Sequence, residues 1–426
     1  MRAAYSLALG LGIFLASPIL IARMAQGRYR EIVLARLGLG KNWLPTARPG
    51  GIWLHALSVG EVKSALPLLS ALGGRFPGVP RYLSVATAQG LAVAADSLGD
   101  NSDVSLFVRP LDLPWAVRRL LDRLRPRLFC HVEGDIWPNW QWGLGERGVP
   151  RLLVNGRVSP RTYRGYRRLG GLARALWDGF DRVLVQTKLD YDRLGKVGVP
   201  EERLSVGGNL KFDSAPALLS QAERDAVATE LGLTGRQVLI AGSTHAGEEE
   251  PCLEAYAALK EEHTDLSLII APREIVRGEA VAHMARARGL SVARVSQGTP
   301  TSGSQVVVLD VLGRLAQAYA LAQASFVGGS LVPVGGHNLL EPAAQGVPVA
   351  FGPSTHNFQE MAKELEASGG GVRLTQACEL AAVWRGLLNE PLRAKAMGEA
   401  GLKFCLAHRG AVSNALREAE ALMGKL

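Results

Sequence analysis

From Gly51 onward, short apolar runs alternate with segments whose apolar residues recur at helical spacing. Ile52–Leu57, Tyr82–Ala86, Val104–Val108, Leu128–Val132, Leu152–Val154 and Val183–Val185 read as strands; Val62–Leu72 and Trp115–Leu124 read as helices. A second alternating pattern begins at Val238, with Val238–Ala241, Leu266–Ala271, Val306–Leu309, Ala324–Val327 and Val347–Phe351 as strands. Beyond Gly370 the pattern predicts helix to the end, most clearly over Ala381–Leu388 and Leu392–His408. Such alternation predicts an α/β protein with two Rossmann-like domains, each a parallel sheet covered by helices. Gly207–Asp213 reads as the linker between them.

The amino terminus breaks this pattern. Ala3–Ala22 carries no charge, and about 20 such residues match the hydrocarbon thickness of a bilayer. Arg23, Arg28, Arg30 and Arg36 follow it, against Arg2 before it, which keeps the bulk of the chain cytoplasmic. A cleaved signal peptide competes with this reading, but a strong basic n-region and a small-residue cleavage site are lacking. Pro18 leaves open a helix lying in the interface. The expectation is a membrane anchor with a basic juxtamembrane segment over residues 1–30.

Composition narrows the function classes. Apolar residues make up 47% and charged residues 20%, which excludes a disordered chain. Cys130, Cys252, Cys378 and Cys405 lie far apart, suggesting neither a disulfide framework nor a zinc site. The net charge of +9 is concentrated in arginines over Arg118–Arg127 and Arg151–Arg182. A solvated face is the ordinary reading, and an anionic membrane or phosphorylated ligand is the functional one. No nucleic-acid motif accompanies the charge, so no nucleic-acid partner is expected. No G-x-G-x-x-G follows a strand, and P-loop, G-x-S-x-G and H-E-x-x-H motifs are absent.

In doubly wound sheets ligands sit beyond the carboxyl ends of the strands, and several of these ends are chemically loaded. The first runs His55-Ala-Leu-Ser58-Val-Gly60-Glu61. Glu61 is placed to accept a proton from a substrate hydroxyl, but Ser58 and Glu61 also have capping-box spacing, and spacing leaves both readings open. Glu133 and Asp135 follow the fourth strand, where a role on the next helix's N–H groups competes with catalysis. Asn155 and Arg157 follow the fifth, ahead of an arginine cluster suited to phosphate. Asn209 and Lys211 sit in the linker stretch, from which Lys211 could reach an interdomain cleft. In the second half, Pro272-Arg273 and Leu312-Gly313-Arg314 end strands. Phe326–Pro353 then places the glycine pairs Gly328-Gly329 and Gly335-Gly336 around a loop, ahead of a helix opening at Asn338-Leu339-Leu340-Glu341. Glycine pairs let backbone N–H groups approach a phosphate, which a helix N-terminus also favours. Asn338 and Glu341 as a capping box is the bland alternative.

In this order, His55–Glu61, Glu133-Gly-Asp-Ile-Trp-Pro-Asn139, Asn155–Ser159, Gly208–Asp213, Pro272-Arg273, Gly328-Gly329-Ser330, Gly336-His337-Asn338-Leu339-Leu340-Glu341 and Phe351-Gly-Pro353 span nearly the whole chain. Together they resemble the lipid A-specific 3-deoxy-D-manno-oct-2-ulosonic acid (Kdo) transferases of lipopolysaccharide core synthesis. The resemblance implies a glycosyltransferase of GT-B type with a membrane anchor. It implies an acceptor-binding domain over 31–207 and a CMP-Kdo-binding domain, with the terminal helices, over 208–426. The acceptor implied is a lipid A precursor (lipid IVA) at the cytoplasmic face of the inner membrane. By motif, Glu61 is the general base, and Glu133 and Lys211 stabilise the transition state. Pro272-Arg273, Leu312–Arg314 and Asn338–Glu341 match CMP-contacting segments. The family is inverting and needs no metal or other cofactor. Two departures stand out: Arg314 replaces a family acid, and Asp135 is one methylene shorter than the usual second acid, so the weight falls on Glu133. A sugar-nucleotide epimerase of similar fold, and a non-catalytic membrane scaffold with a degenerate donor site, are the alternative readings.

Overall fold

Two seven-stranded parallel sheets organise the chain in the computed structural model, which describes residues 2–25, 30–39, 43, 46, 48–99, 103–298 and 303–424. The first contains β1 (Ile52–Ala56), β2 (Arg81–Val85), β3 (Val104–Val108), β4 (Leu128–Val132), β5 (Arg151–Gly156), β6 (Arg182–Val185) and β7 (Leu204–Val206) in the order β3-β2-β1-β4-β5-β6-β7. The second contains β8 (Gln237–Thr244), β9 (Leu266–Pro272), β10 (Val292–Arg294), β11 (Val306–Val308), β12 (Ala324–Val327), β13 (Val349–Phe351) and β14 (Gly371–Arg373) in the order β10-β11-β9-β8-β12-β13-β14. The compact units are Met1–Ser214 with His408–Leu426, and Ala215–Ala407.

The strands are mostly apolar because helices cover both of their faces. Along β1, Ile52, Leu54 and Ala56 join a cluster with Val62, Leu68, Leu69 and Leu72 of the helix Val59–Arg75. Trp53 points the other way, against Phe129 and Trp140. Each such large side chain contributes about 1.5–3 kcal/mol by leaving water. The terminal helix Ala411–Met423 completes the Leu54 cluster with Ala415, Ala419 and Leu422.

Several expectations change. The end of the chain is not all helix, since β14 adds a seventh strand, and the short β7 and β10 were also not predicted. Three residues are too few to display alternation. Gly207–Asp213 is no free linker: Leu210–Asp213 forms a helical turn in the first unit, with Leu210 and Phe212 buried.

The amino-terminal helix, Arg2–Ala25, packs Leu9 and Ile13 against the Trp43/Trp53 cluster. Leu7, Leu11, Phe14 and Leu15 are 59–77% exposed. Among the described residues no helix is long and apolar enough to cross a membrane. Arg28, part of the expected basic segment, lies outside the described residues.

Candidate active site

Each sheet has one point where its order reverses. In the first unit the chain leaves β1 toward β2 and β3, then returns to build β4 to β7 on the other side. The loops after β1 and β4 therefore diverge and leave a crevice at the carboxyl ends. In the second unit the same occurs between β8 and β12.

The loop after β1 carries Glu61. Ser58 caps the helix Val59–Arg75 and its Oγ accepts the Glu61 N–H at 3.4 Å. In return, Glu61 Oε2 accepts the Leu57 N–H at 2.6 Å and Oε1 accepts the Ser58 hydroxyl at 3.1 Å. The capping geometry and the position at the crevice thus coexist in one carboxylate. Glu61 is buried, and burial first, with the charges of Glu133 and Asp135, outweighs the Leu57 N–H and the Ser58 hydroxyl to lift its pKa to about 7. Gly60, on the first turn of this helix, has room around its Cα.

The loop after β4 carries the other acids. Glu133 has φ 73°, a left-handed conformation that costs a non-glycine residue about 1–3 kcal/mol and clusters at functional sites. Asn155 (φ 60°) and Ser243 (φ 55°) repeat it at the ends of β5 and β8. Asp135, which sequence reasoning set behind Glu133, is the hub of a polar cluster. It accepts Trp137 Nε1 at 2.7 Å and pairs with His131 Nε2 at 3.1 Å. His55 Nε2 and Arg109 Nη1 stand 3.9 and 3.8 Å away, at ion-pair distance. Burial opposes the Asp135 charge, but the two histidines outweigh it and hold the carboxyl well below its usual range. His55 is a core histidine: its Nδ1 lies 2.9 Å from Ser84 Oγ, and burial lowers its pKa to about 4. The Arg109 guanidinium lies 4.1 Å from the centre of the Trp137 ring. His131 four residues before Asp135 was the visible signal; the partnership of His55 depends on β1 lying beside β4.

Asn155 and Asn209 work on Lys211. Asn155 Oδ1 accepts the Leu210 N–H at 2.9 Å, and Asn209 Oδ1 accepts the Lys211 N–H at 3.0 Å. Gln186 joins them, donating to Asn155 O and accepting from Asn209 Nδ2. The turn bearing Lys211 is thereby fixed from β5. Arg157 is exposed, and the arginine-rich helix Pro160–Leu169 buries no residue, as a solvated face does.

In the second unit the glycine loop is tied to a buried acid that the sequence did not single out. Glu248 accepts N–H groups from Gly329 (2.6 Å), Ser330 (3.0 Å), Leu331 (2.9 Å) and His245 (3.0 Å). The Gly329 and Ser330 N–H groups expected to face a phosphate are thus engaged. Gly328 is needed for another reason: a Cβ there would lie 2.6 Å from Ser243 O. Gly336 donates its N–H to Gly329 O at 2.7 Å, folding the loop back so that His337 reaches His245, Nε2 to Nε2, at 2.8 Å. The helix after it, Leu340–Ala344, has five residues and Leu339 at its N-cap without a side-chain bond. So short a helix aligns few peptide dipoles, and the expected capping box is incomplete. Asn338 instead accepts the Leu340 N–H and donates to Glu341. Pro272 ends β9, and the Arg273 N–H donates to Thr244 O at 2.9 Å, setting Arg273 beside the β8 loop. Leu312 is 74% exposed, Gly313 is left-handed, and Arg314 is ion-paired with Glu230. No three His, Cys, Asp or Glu side chains among the described residues gather to hold a metal ion.

A family model for 3-deoxy-D-manno-octulosonic-acid transferase (kdotransferase) matches residues 31–214. The 3-deoxy-D-manno-octulosonic acid transferase of Bordetella pertussis is 36% identical over 412 residues, covering 95% of this chain and 94% of that one. That of Haemophilus influenzae is 31% identical over 391 residues, 91% of each chain. Among solved structures, UDP-GlcNAc 2-epimerase from Neisseria meningitidis, bound to UDP-GlcNAc, superposes with a TM-score of 0.59 over 88% of this chain and all of that one. At 11% identity this likeness concerns the fold alone.

Proposed function

Because the chain belongs to the 3-deoxy-D-manno-octulosonic-acid (Kdo) transferase family, we propose that it moves Kdo from CMP-Kdo to a hydroxyl of a lipid A precursor (lipid IVA) at the cytoplasmic face of the inner membrane. Unit 1 takes the acceptor and unit 2 takes the donor. The reaction is a single inverting displacement. The acceptor oxygen bonds to the anomeric carbon, the bond from that carbon to the CMP phosphate breaks, and CMP departs with the electron pair. The acceptor's proton passes to Glu61.

The observation that carries this reading is a buried carboxyl with a pKa of about 7 at the reversal point of the first sheet. A base of that pKa is half ionised near neutral pH and still strong enough to take a hydroxyl proton as the new bond forms. Glu133 and Lys211 stabilise the transition state, with Lys211 held by Asn155 and Asn209. Arg273 offsets the charge of the departing phosphate, as a preorganised cation does without reorganising. Asn338 and Glu341 contact the CMP moiety, Glu341 accepting from ribose hydroxyls. No cofactor enters these steps. The amino-terminal helix seats its exposed Leu7, Leu11, Phe14 and Leu15 in the membrane while Leu9 and Ile13 hold the enzyme to it.

The test is transfer to tetra-acylated lipid A precursor in membranes carrying wild type or Glu61→Gln. The amide keeps an acceptor for Leu57 but cannot take a proton. A fall of about a hundredfold to ten-thousandfold with CMP binding intact is expected. Unchanged turnover would reduce Glu61 to a helix cap.

A further inference from the structure

We infer that His245 and His337, given the donor assignment to unit 2 made above, form a two-ring clamp that takes one oxygen of a donor oxyanion between their Nε2 atoms. The rings stand on loops from different strands. His245 follows β8 and His337 follows β12, so the pair bridges the crevice where the second sheet reverses its order. The ring planes are within 5° of parallel and the Nε2 atoms are 2.8 Å apart. At that separation one hydrogen lies between two nitrogens, one ring donating and the other accepting. Two N–H groups cannot face each other so closely. An oxygen entering between the rings lets each turn an N–H toward it, through a tautomer change in one ring or uptake of a proton. Bonds to an anion are about twice as strong as the neutral one they replace.

The surroundings suit an anion. Arg273, just past the end of β9, is near enough to act on His337: burial first, then Arg273 and His245, lower the His337 pKa to about 4, so its ring is neutral near pH 7. Glu248, at the foot of the β8 loop, has its charge spread over four backbone N–H donors, one of them from His245. His356, from the loop after β13, lies against Gly335. Gly329 leaves the room the clamp needs, because a Cβ there would stand 2.9 Å from the His337 ring. The donor offers two oxyanions, the phosphate of CMP and the carboxylate of Kdo, and the phosphate is the one cytidine lacks.

Calorimetric titration of the full chain with CMP and with cytidine separates these cases, using wild type, His245→Ala, His337→Ala and His245→Gln. The expected result is a loss of CMP affinity of about tenfold to a hundredfold in both alanine variants. Cytidine affinity stays unchanged, which also reports an intact fold, and His245→Gln recovers part of the loss through its amide N–H. In long-range proton–nitrogen spectra of the wild type, the Nε2 signals of both rings should move when CMP is added. Undiminished CMP binding with a raised KM for CMP-Kdo assigns the clamp to the sugar carboxylate. Equal losses for CMP and cytidine, or none for any ligand, overturn the clamp while the donor assignment stands. Absence of CMP binding to the wild type overturns both.

Discussion

Glu61 Oε2 lies 2.6 Å from the Leu57 N–H, so the proposed base ties down the turn that carries it. Ionisation at this site is therefore felt twice, in proton transfer and in the geometry of the loop after β1.

The pH profile should report this. With a pKa of about 7, Glu61 is protonated and inactive in mild acid, and kcat/KM should rise through about 7 to a plateau. Asp135→Asn removes one of the negative charges lifting that pKa, so the rising limb should move to lower pH. A limb that stays in place would remove Asp135 from the control of Glu61. Stability runs the other way. The folded pKa lies above the ordinary 4.5, so the contribution of this group is fully present below about 4.5 and lost as pH rises through about 7.

Glu248→Ala should be the more damaging change in the second unit, although Glu248 touches no proposed substrate atom. It leaves three loop N–H groups and that of His245 without their acceptor. Leaving a buried N–H without its acceptor costs about 1–3 kcal/mol. Denaturant unfolding should show that loss, and CMP affinity should fall with it. A variant as stable as wild type would mean that the glycine loop holds itself.

Asn155 is expected to resist replacement for two separable reasons. Its left-handed backbone disfavours alanine, and its side chain accepts the Leu210 N–H. Asn155→Gly relieves the first and keeps the loss of the second, so it should be more stable than Asn155→Ala by about 1 kcal/mol. Both should lower kcat through a loosened Lys211 turn while leaving CMP affinity alone. Thermal unfolding beside transfer assays separates the two effects.

The outer face of the first helix can be tested by sedimentation with vesicles containing anionic lipid. Leu11→Glu with Phe14→Glu should release much of the protein from the vesicles, since both residues are exposed and apolar. Lipid-free CMP binding should not change. Undiminished sedimentation would shift membrane contact to the arginine-rich surface.

The sheets were legible where runs were long. β3 and β4 match their predicted spans, because five-residue runs with a single polar residue between turns have few other readings. β7, β10 and β14 were not legible, since each is three residues long and, unlike the wholly apolar β11 and β13, includes a polar residue. The site divides similarly. Glu61 was visible as an acid at a strand end, and the capping geometry its spacing predicts is present. Asp135 was visible too but not as a hub, and Glu248 was not visible, because His55 and the glycine-loop donors lie far along the chain. His55 reaches Asp135 only because it lies opposite His131 across β1 and β4, and Glu248 finds its donors in a loop some eighty residues on.

The return of Ala411–Met423 to the first unit governs how the protein is made. Ala215–Ala407 emerges from the ribosome as a contiguous stretch and has all the chain it needs to collapse. The earlier-synthesised lobe does not, because Ala415, Ala419 and Leu422 cover a face of Leu54 and Leu72 until then open to water. The lobe translated first is thus the one finished last, and a nascent chain stalled before His408 would present chaperones with a bare apolar surface.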